Sequence, residues 1–500
     1  MSLLPTARTP QILHATGFRT GEIDALLVIA PPSAGAEIFA RLPESERWQE
    51  LNARSKPRSG TIRTTVLANR RQTLAVLGYL RAEASNFERL VLAGGMLKES
   101  APRGAETFCL AAIGDTQASR ACLESLLAAT QAQAFSLPSF RSAKVGRRIK
   151  SISLLGGRTL DVHYAAASSR GNNLARWLTA LPPNLLNARS YHRAIAELAR
   201  DRGLSLRWLD ERALKRLGAN AFLAVSAGNA QRTAGIAHLT YRPARRKSSQ
   251  APDVALVGKG ILFDTGGINL KTHKSMLDMH TDMAGSAVAL ATLVALAELR
   301  APITADAWLA ITENEIGPRA YRPQEIVRAS NGVTIQVIHT DAEGRMVLAD
   351  TLALASRTRP RFMIDFATLT GACVYALTER MSGVFTNNPA LVPKLLAAGR
   401  SSGERVWNFP FDSDYDSDLE SKVADIVQCA VDGKGDHILA TRFLSRFVPE
   451  DIPWAHVDLS SSTRSGGLGH VNTEITGFGV RYALDLILKQ RVLEALERAR

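Results

Sequence analysis

The residues best suited to chemistry fall in two stretches, 257–287 (VGKGILFDTGGINLKTHKSMLDMHTDMAGSA) and 339–350 (HTDAEGRMVLAD). The first supplies Lys259 and Asp264 where an apolar run ends, a Gly266-Gly267 turn, and Asp282 at the mouth of a long apolar helix. The second supplies Asp341, Glu343 and Arg345 after another apolar run, TIQVI. Asp341 and Glu343 are two apart, so on an extended segment both side chains face one side. Four carboxylates at the ends of buried strands cannot all ionise without a counter-charge. Two readings are open. One is a pair of hard or borderline divalent metals held by shared carboxylates. The other is a set of acids that cap helices and pair with Lys259, Lys271 and Arg345.

Either reading needs strands that end together, and the chain alternates strand-like and helix-like runs. Residues 25–30 (ALLVIA) read as a buried strand, 72–82 as a short helix, and 89–93 (RLVLA) as a strand stopped by Gly94-Gly95. Residues 168–184 read as a turn-rich joint leading into a short helix that Pro182-Pro183 stops. Beyond it, runs at 253–258, 304–311, 334–338 and 361–367 read as strands, and those at 283–299 and 346–356 as helices. The pattern predicts an α/β protein of two domains. A small N-terminal α/β domain covers 1–165, a connector 166–185, and a larger catalytic domain 186–500 with a mostly parallel sheet sandwiched by helices.

Composition bounds the rest. With 500 residues, 46% hydrophobic and 22% charged, the chain is neither fibrous nor disordered. Its longest apolar run, 284–299, is interrupted by Gly285, Ser286, Thr292 and Glu298 and reads as a buried helix; no membrane span is expected. Four cysteines with no CxxC pair suit a reducing compartment. The start lacks a secretory pattern; Arg8 and Arg19 before the first acid, Glu22, leave a transit leader open, and the cytoplasm is favoured. The formal charge is +14, of which residues 1–180 carry 23 − 13 = +10. That basic excess, with 141–150 (RSAKVGRRIK) at its centre, motivates an alternative reading as a DNA-binding protein. The cluster Arg242, Arg245, Arg246 and Lys247 reads as a solvated loop.

The two motif stretches resemble the signature of the leucyl aminopeptidases, the M17 cytosol aminopeptidases. The family's VGKG-x-x-FDSGG-x-x-x-K, DM-G-A and NTDAEGR-x-x-L-AD patterns are matched with Thr265, Ala284 and His339 as departures. The likeness extends to Leu181–Asn184, Tyr321–Pro323, Ala367–Ala372, Val423–Asp425 and Thr476–Val480, and so covers nearly all of 175–500. The resemblance implies a macro-like N-terminal domain and a metal-dependent aminopeptidase. It implies that Lys259, Asp264, Asp282 and Glu343 hold one divalent ion (zinc or manganese), and that Asp264, Asp341 and Glu343 hold a second. A water bridging the metals would be activated as the attacking hydroxide, Lys271 would stabilise the oxyanion, and Arg345 would hold a bicarbonate that relays the proton. A free substrate amine on one metal would favour removal of N-terminal residues, helped by the backbone at Leu369. Met279, Thr368 and Gly371 match a pocket for leucine-like side chains; a core role for Met279 beside Met276 and Met283 is also open. Asp436-His437 and Ser460–Gly469 depart from the family's commoner sequences and are expected at the substrate rim. Family members assemble as hexamers of two trimers, and the same is expected here. A further alternative is a co-catalytic metal amidase acting on a non-peptide substrate.

Overall fold

In the computed structural model, residues 3–6, 9–35, 39–53, 55–101, 104–114, 116–142, 148–244 and 251–498 are described. Arg8, Arg245, Arg246, Lys247 and the middle of the basic segment, 143–147, lie outside them.

The first sheet has six strands: β1 (Gln11–Ala15), β2 (Ala25–Ala30), β3 (Ile62–Val66), β4 (Leu74–Tyr79), β5 (Thr107–Ala112) and β6 (Ser151–Leu155). Their order is β1-β6-β5-β2-β4-β3, parallel except for the β3–β4 pair. β2 reads as a continuous apolar run because both its faces are covered. Ala25, Leu27 and Ile29 join one core, and Leu26, Val28 and Ala30 the other.

Three expectations are corrected here. Residues 72–82 hold β4 rather than a helix, since burial of alternate side chains on two faces overrides the helix preference of Leu and Ala. Residues 89–93 lie inside the Asn86–Ser100 helix, which starts at a Ser85–Glu88 capping box. Gly94 does not stop that helix. A Cβ there would lie 2.6 Å from the Gly469 carbonyl oxygen, so glycine lets the helix touch a distant loop. The joint at 168–184 is mostly the long Val162–Thr179 helix. Its turn-prone residues have tertiary partners instead: Asn172 Nδ2 donates to the Gly477 carbonyl at 2.9 Å, and Arg176 Nη2 to Thr473 Oγ1 at 2.9 Å.

The second sheet has eight strands: β7 (Ser205–Asp210), β8 (Gly235–Tyr241), β9 (Val254–Asp264), β10 (Ala305–Asn314), β13 (Phe362–Ala367), β14 (Ser382–Thr386), β15 (Val406–Asn408) and β17 (Trp454–Asp458). The order is β15-β14-β17-β13-β9-β10-β8-β7. Its centre, β17-β13-β9-β10, is parallel, and antiparallel pairs flank it. A small third sheet joins β11 (Ile326–Arg328), β12 (Thr334–Gln336) and β16 (Ile426–Val427). The run at 334–338 therefore starts in a side sheet, not in the main one.

Helices cover both faces of the main sheet. Val254, Leu256 and Leu262 of β9 pack with the Ala284–Glu298 helix, while Ala255, Val257 and Ile261 pack with the Glu343–Ser356 helix. The Ala284–Glu298 helix is apolar all round because it is buried all round. The stretch His273–Glu298 has the hydropathy of a membrane span, yet 83% of its apolar window lies inside the molecule. Gly285 lets this helix meet the sheet: a Cβ there would fall 2.0 Å from the Phe366 carbonyl oxygen. The parallel centre brings four strand ends to one edge, namely Asn314, Asp264, Ala367 and Asp458.

Candidate metal centre

At that edge the chain gathers its acids. Lys259 lies within β9, five residues before its end, and Asp264 is the last residue of the strand. After the Gly266-Gly267 turn, in which both glycines have positive φ, Lys271 folds back. A Cβ on Gly266 would sit 3.0 Å from the Lys271 backbone nitrogen, so the turn needs glycine to close this tightly. Asp282 ends the short 3-10 turn Met279–Thr281 just before the Ala284–Glu298 helix, whose N-cap is Met283. Asp341 and Glu343 do not share an extended segment as expected. Asp341 sits in a turn and Glu343 is the first residue of the Glu343–Ser356 helix. They still converge: Asp264, Asp341 and Glu343 each offer an oxygen, and these oxygens lie within 4.8 Å of one another.

Two lysines thread the acids. Lys259 Nζ lies 2.8 Å from Asp282 and 3.0 Å from Glu343 Oε1, and donates to the Thr368 carbonyl at 2.9 Å. Gly344 leaves it room, because a Cβ there would lie 2.7 Å from that amine. Lys271 Nζ lies 2.8 Å from Asp264 Oδ2 and 2.5 Å from Asp341 Oδ1. Asp264 Oδ1 accepts from the Gly266 N–H and from Asn314 Nδ2, at 2.9 and 2.8 Å. Thr368 Oγ1 donates to Asp282 Oδ1 at 2.6 Å.

Four acids share this buried site with two lysines, so negative charge is in excess. Burial and the charge of Asp264 push Asp282 up to about 6 and Glu343 up to about 7; Asp341 rises to about 7 for the same reasons. Burial works against the ammonium of Lys259, but Asp282, Glu343 and Asp264 outweigh it and hold its pKa above the ordinary value. Lys271 is raised in the same way, chiefly by Asp264 against its burial. Glu343 Oε2 is buried and has no hydrogen-bond partner. A hard or borderline divalent cation fits such a site: it would give that oxygen a partner, balance the excess charge and let the carboxylates ionise. For Lys259 to join as a ligand, cations among the carboxylates would have to reverse the balance that now holds its proton.

The remaining expected residues are placed as follows. Thr368, Leu369 and Gly371 follow β13, with Gly371 opening the Gly371–Leu377 helix. Met279 is half-buried in the turn before Asp282, whereas Met283 is fully buried. Asp350, the last acid of the second motif, stands apart. It accepts from the Phe222 N–H at 2.9 Å and caps a neighbouring helix. Arg345 is buried and does not reach the acid cluster. Its Nη2 donates to both oxygens of Asp436, at 2.8 and 2.9 Å, and its Nη1 to the Gln428 carbonyl at 3.2 Å. The guanidinium is only partly engaged by this carboxylate, because both Asp436 oxygens meet Nη2 while Nε is buried without a hydrogen-bond partner.

Several supporting residues escaped the sequence reading. Asp458 accepts from the Leu369 N–H at 3.1 Å and from Thr370 Oγ1 at 2.6 Å, and so holds the turn carrying Thr368. Asn314 bridges Asp264 to the Thr340 carbonyl. Each ends an apolar strand at the same edge, which is the signal that could have found them. The stretch Ser460–Gly469 divides: Ser460 lies beside Cys373 of the Gly371–Leu377 helix and its Oγ donates to the Met381 carbonyl, whereas Gly469 lies against the Asn86–Ser100 helix. His437 is the second residue of the Asp436–Ser445 helix, its ring 4.5 Å from that of Phe409.

The chain is similar to known proteins over most of its length. The profile described as "Cytosol aminopeptidase family, catalytic domain" matches residues 173–484. A probable cytosol aminopeptidase of Synechococcus sp. (strain CC9605) is 35% identical over 488 residues, covering 95% of this chain and 96% of that protein. One from Syntrophotalea carbinolica is 40% identical over 337 residues, covering 67% and 66%. Among solved structures, the bottromycin maturation enzyme BotP in complex with Mn superposes with a TM-score of 0.80 at 28% identity, covering 94% of this chain and 99% of that one.

Proposed function

The chain belongs to the cytosol aminopeptidase family, and on that footing we propose that it is a two-metal aminopeptidase releasing leucine and other apolar residues from peptide N-termini. Aminopeptidase activity, and so hydrolase chemistry, is common to the family. The observation that carries the finer reading is the convergence of Asp264, Asp341 and Glu343 around a buried carboxylate oxygen that lacks a partner. Lys259, Asp264, Asp282 and Glu343 would hold one divalent ion, and Asp264, Asp341 and Glu343 a second; the manganese in BotP supports manganese, with zinc as the other choice. When bound, such ions supply Lewis acidity that acidifies water and polarises a carbonyl.

The chain's own residues do the remaining work. Lys271, held charged by Asp264 and 13% exposed, would stabilise negative charge developing on the carbonyl oxygen. Lys259 and Asp458 hold the turn at Thr368 and Leu369 beside the metal ligands, where the backbone around Leu369 would assist a substrate amine. Gly371, where a Cβ would meet only Tyr375 at 3.9 Å, and the half-buried Met279 would, with Thr368, form the apolar wall for the first side chain. Exposed apolar side chains near these residues, including Leu270, Leu277 and Tyr375, support burial in a homo-oligomer, for which we propose the hexamer of the family. The relatives' designation supports a cytosolic location.

Hydrolysis of leucyl-p-nitroanilide tests the reading. Activity should vanish after chelation and return with manganese or zinc. Full activity in demonstrably metal-free protein would overturn it. A panel adding amides without an α-amine would separate an aminopeptidase from a general amidase.

A further inference from the structure

Asp365, His456 and Asp458 interrupt an apolar layer. Met363 and Ala367 of β13 and Trp454 of β17 pack with side chains of the Glu343–Ser356 and Asp436–Ser445 helices. Side chains two apart on a strand share a face, so Asp365 falls between Met363 and Ala367, and His456 and Asp458 follow Trp454. The two strands run parallel with Asp365 opposite His456, and His456 Nδ1 lies 2.6 Å from Asp365 Oδ1. Both side chains are fully buried. Trp454 Nε1 donates to the other oxygen of Asp365 at 2.7 Å, whereas His456 Nε2 is buried without a hydrogen-bond partner.

A buried ion pair adds little to stability, because desolvation offsets the attraction. What this one adjoins gives it another use. Burial works against the charge of His456, but Asp365 and Asp458 outweigh it and, against Arg345, hold its pKa above the ordinary value. Burial also raises the carboxyl of Asp458, and His456 is the foremost charge opposing that rise. Asp458 Oδ1 accepts from the Leu369 N–H at 3.1 Å, and Oδ2 from Thr370 Oγ1 at 2.6 Å. Thr370 in turn caps the Gly371–Leu377 helix. Both carboxylate oxygens are therefore needed as acceptors, and a protonated carboxyl would turn one of them into a donor.

We propose that His456 is a positioning residue for the aminopeptidase reaction: as a buried imidazolium between Asp365 and Asp458 it keeps Asp458 ionised, and Asp458 holds the Leu369–Thr370 turn that receives the substrate amine. This rests on the aminopeptidase reading above. The groups facing the imidazole are Asp365 from β13, Asp458 from its own strand and Arg345 from the Glu343–Ser356 helix. On the side of the Asp436–Ser445 helix, the ring of Phe385 packs against both His456 and His437.

The test is hydrolysis of leucyl-p-nitroanilide by metal-loaded wild type, His456→Gln, Asp458→Asn and the double variant, from pH 7 to pH 9. Without the imidazolium, Asp458 should take up a proton near neutral pH and release it as pH rises. His456→Gln should therefore raise KM about tenfold at pH 7 with kcat little changed, and the defect relative to wild type should shrink towards pH 9. Asp458→Asn should raise KM equally at every pH, and the double variant should be no worse than Asp458→Asn alone. Unchanged KM in His456→Gln, a defect equal at every pH, or additive losses in the double variant would overturn the proposal. Asp365→Asn keeps the shape and one acceptor oxygen, and so guards against a His456→Gln chain that does not fold. It should raise KM at pH 7, and a wild-type KM there would also overturn the proposal. If wild type hydrolyses no aminoacyl substrate, the aminopeptidase reading fails. Deuterium exchange of residues 367–377, read by mass spectrometry, then decides the role of His456. Exchange faster than wild type in His456→Gln at pH 7 and close to it at pH 9 supports that role, and unchanged exchange rejects it.

Discussion

Glu343 concentrates the site's chemistry in one side chain. One oxygen lies against Lys259, the other has no partner, and its carboxyl is pushed up to about 7 by burial and by Asp264. Replacing it with alanine should remove a ligand from both proposed ions. Metal analysis of Glu343→Ala is expected to show depleted metal, and peptidase activity should fall by several orders of magnitude. Lys271→Met should behave differently. Metal content should be near normal, while kcat drops by about 10²–10³, the usual loss for one group that stabilises an oxyanion. Retained activity in either variant would remove that residue from its role. The ligands were legible in the sequence because acids at the ends of apolar runs have few other reasons to cluster. Their supports were not. Asn314, Asp458 and Gln428 act through contacts 50 to 89 residues away in the chain, and no local spacing announces such pairs.

At the scale of elements, the site is as rigid as the packing of the Ala284–Glu298 helix on β9 and β13. Gly258 and Gly285 allow backbone to meet backbone there, next to Lys259 and Asp282. Gly285→Ala should push the helix off the sheet, lower stability by about 3 kcal/mol, and weaken metal binding because Asp282 moves with the helix. Gly17→Ala, with open space around its Cβ, serves as the control and should change neither quantity in denaturant melts and metal titrations. The same packing explains which elements could be read in advance. Strands covered on both faces, such as β2 and β9, appear as unbroken apolar runs. The strand-like 89–93 failed as a reading because its apolar side chains serve two faces of a helix, with Leu90, Leu92, Ala93, Met96 and Leu97 all buried. The turn-like residues of 168–184 failed because their polar groups are satisfied by the distant segment Thr473–Gly477.

For the molecule as a whole, the raised carboxyls link metal to stability. The pKa values of Asp282, Asp341 and Glu343 are higher in the folded chain than in the unfolded one, so the folded metal-free protein holds more protons. Its stability should then fall as pH rises from about 4 towards 7. Asp350 and Glu404, raised by burial to about 6 and about 7, act in the same direction whether metal is present or not. The difference between chelated and metal-loaded protein isolates the site. Its melting temperature gap should be small at pH 5 and widen by pH 7.5, and a gap independent of pH would contradict the linkage. Within the first 180 residues, Arg71, Arg81, Arg120 and Lys150 face Asp24, Glu88, Glu124 and Glu106, so the net excess of +10 rests on the other lysines and arginines.

The touch between Gly94 and Gly469 bears on how the molecule could be recombined. Asn472 Nδ2 donates to the Gly94 carbonyl, Leu90 fills the space a side chain at Gly403 would need, and Asn86 bonds the Ser401 carbonyl. The two sheets are thus not interchangeable modules joined by a tether. A chimaera that keeps residues 186–500 and imports another amino-terminal half must bring a glycine to this position of its helix. Otherwise the imported helix displaces the 466–472 loop, and the hybrid inherits a mismatch far from any residue that handles substrate.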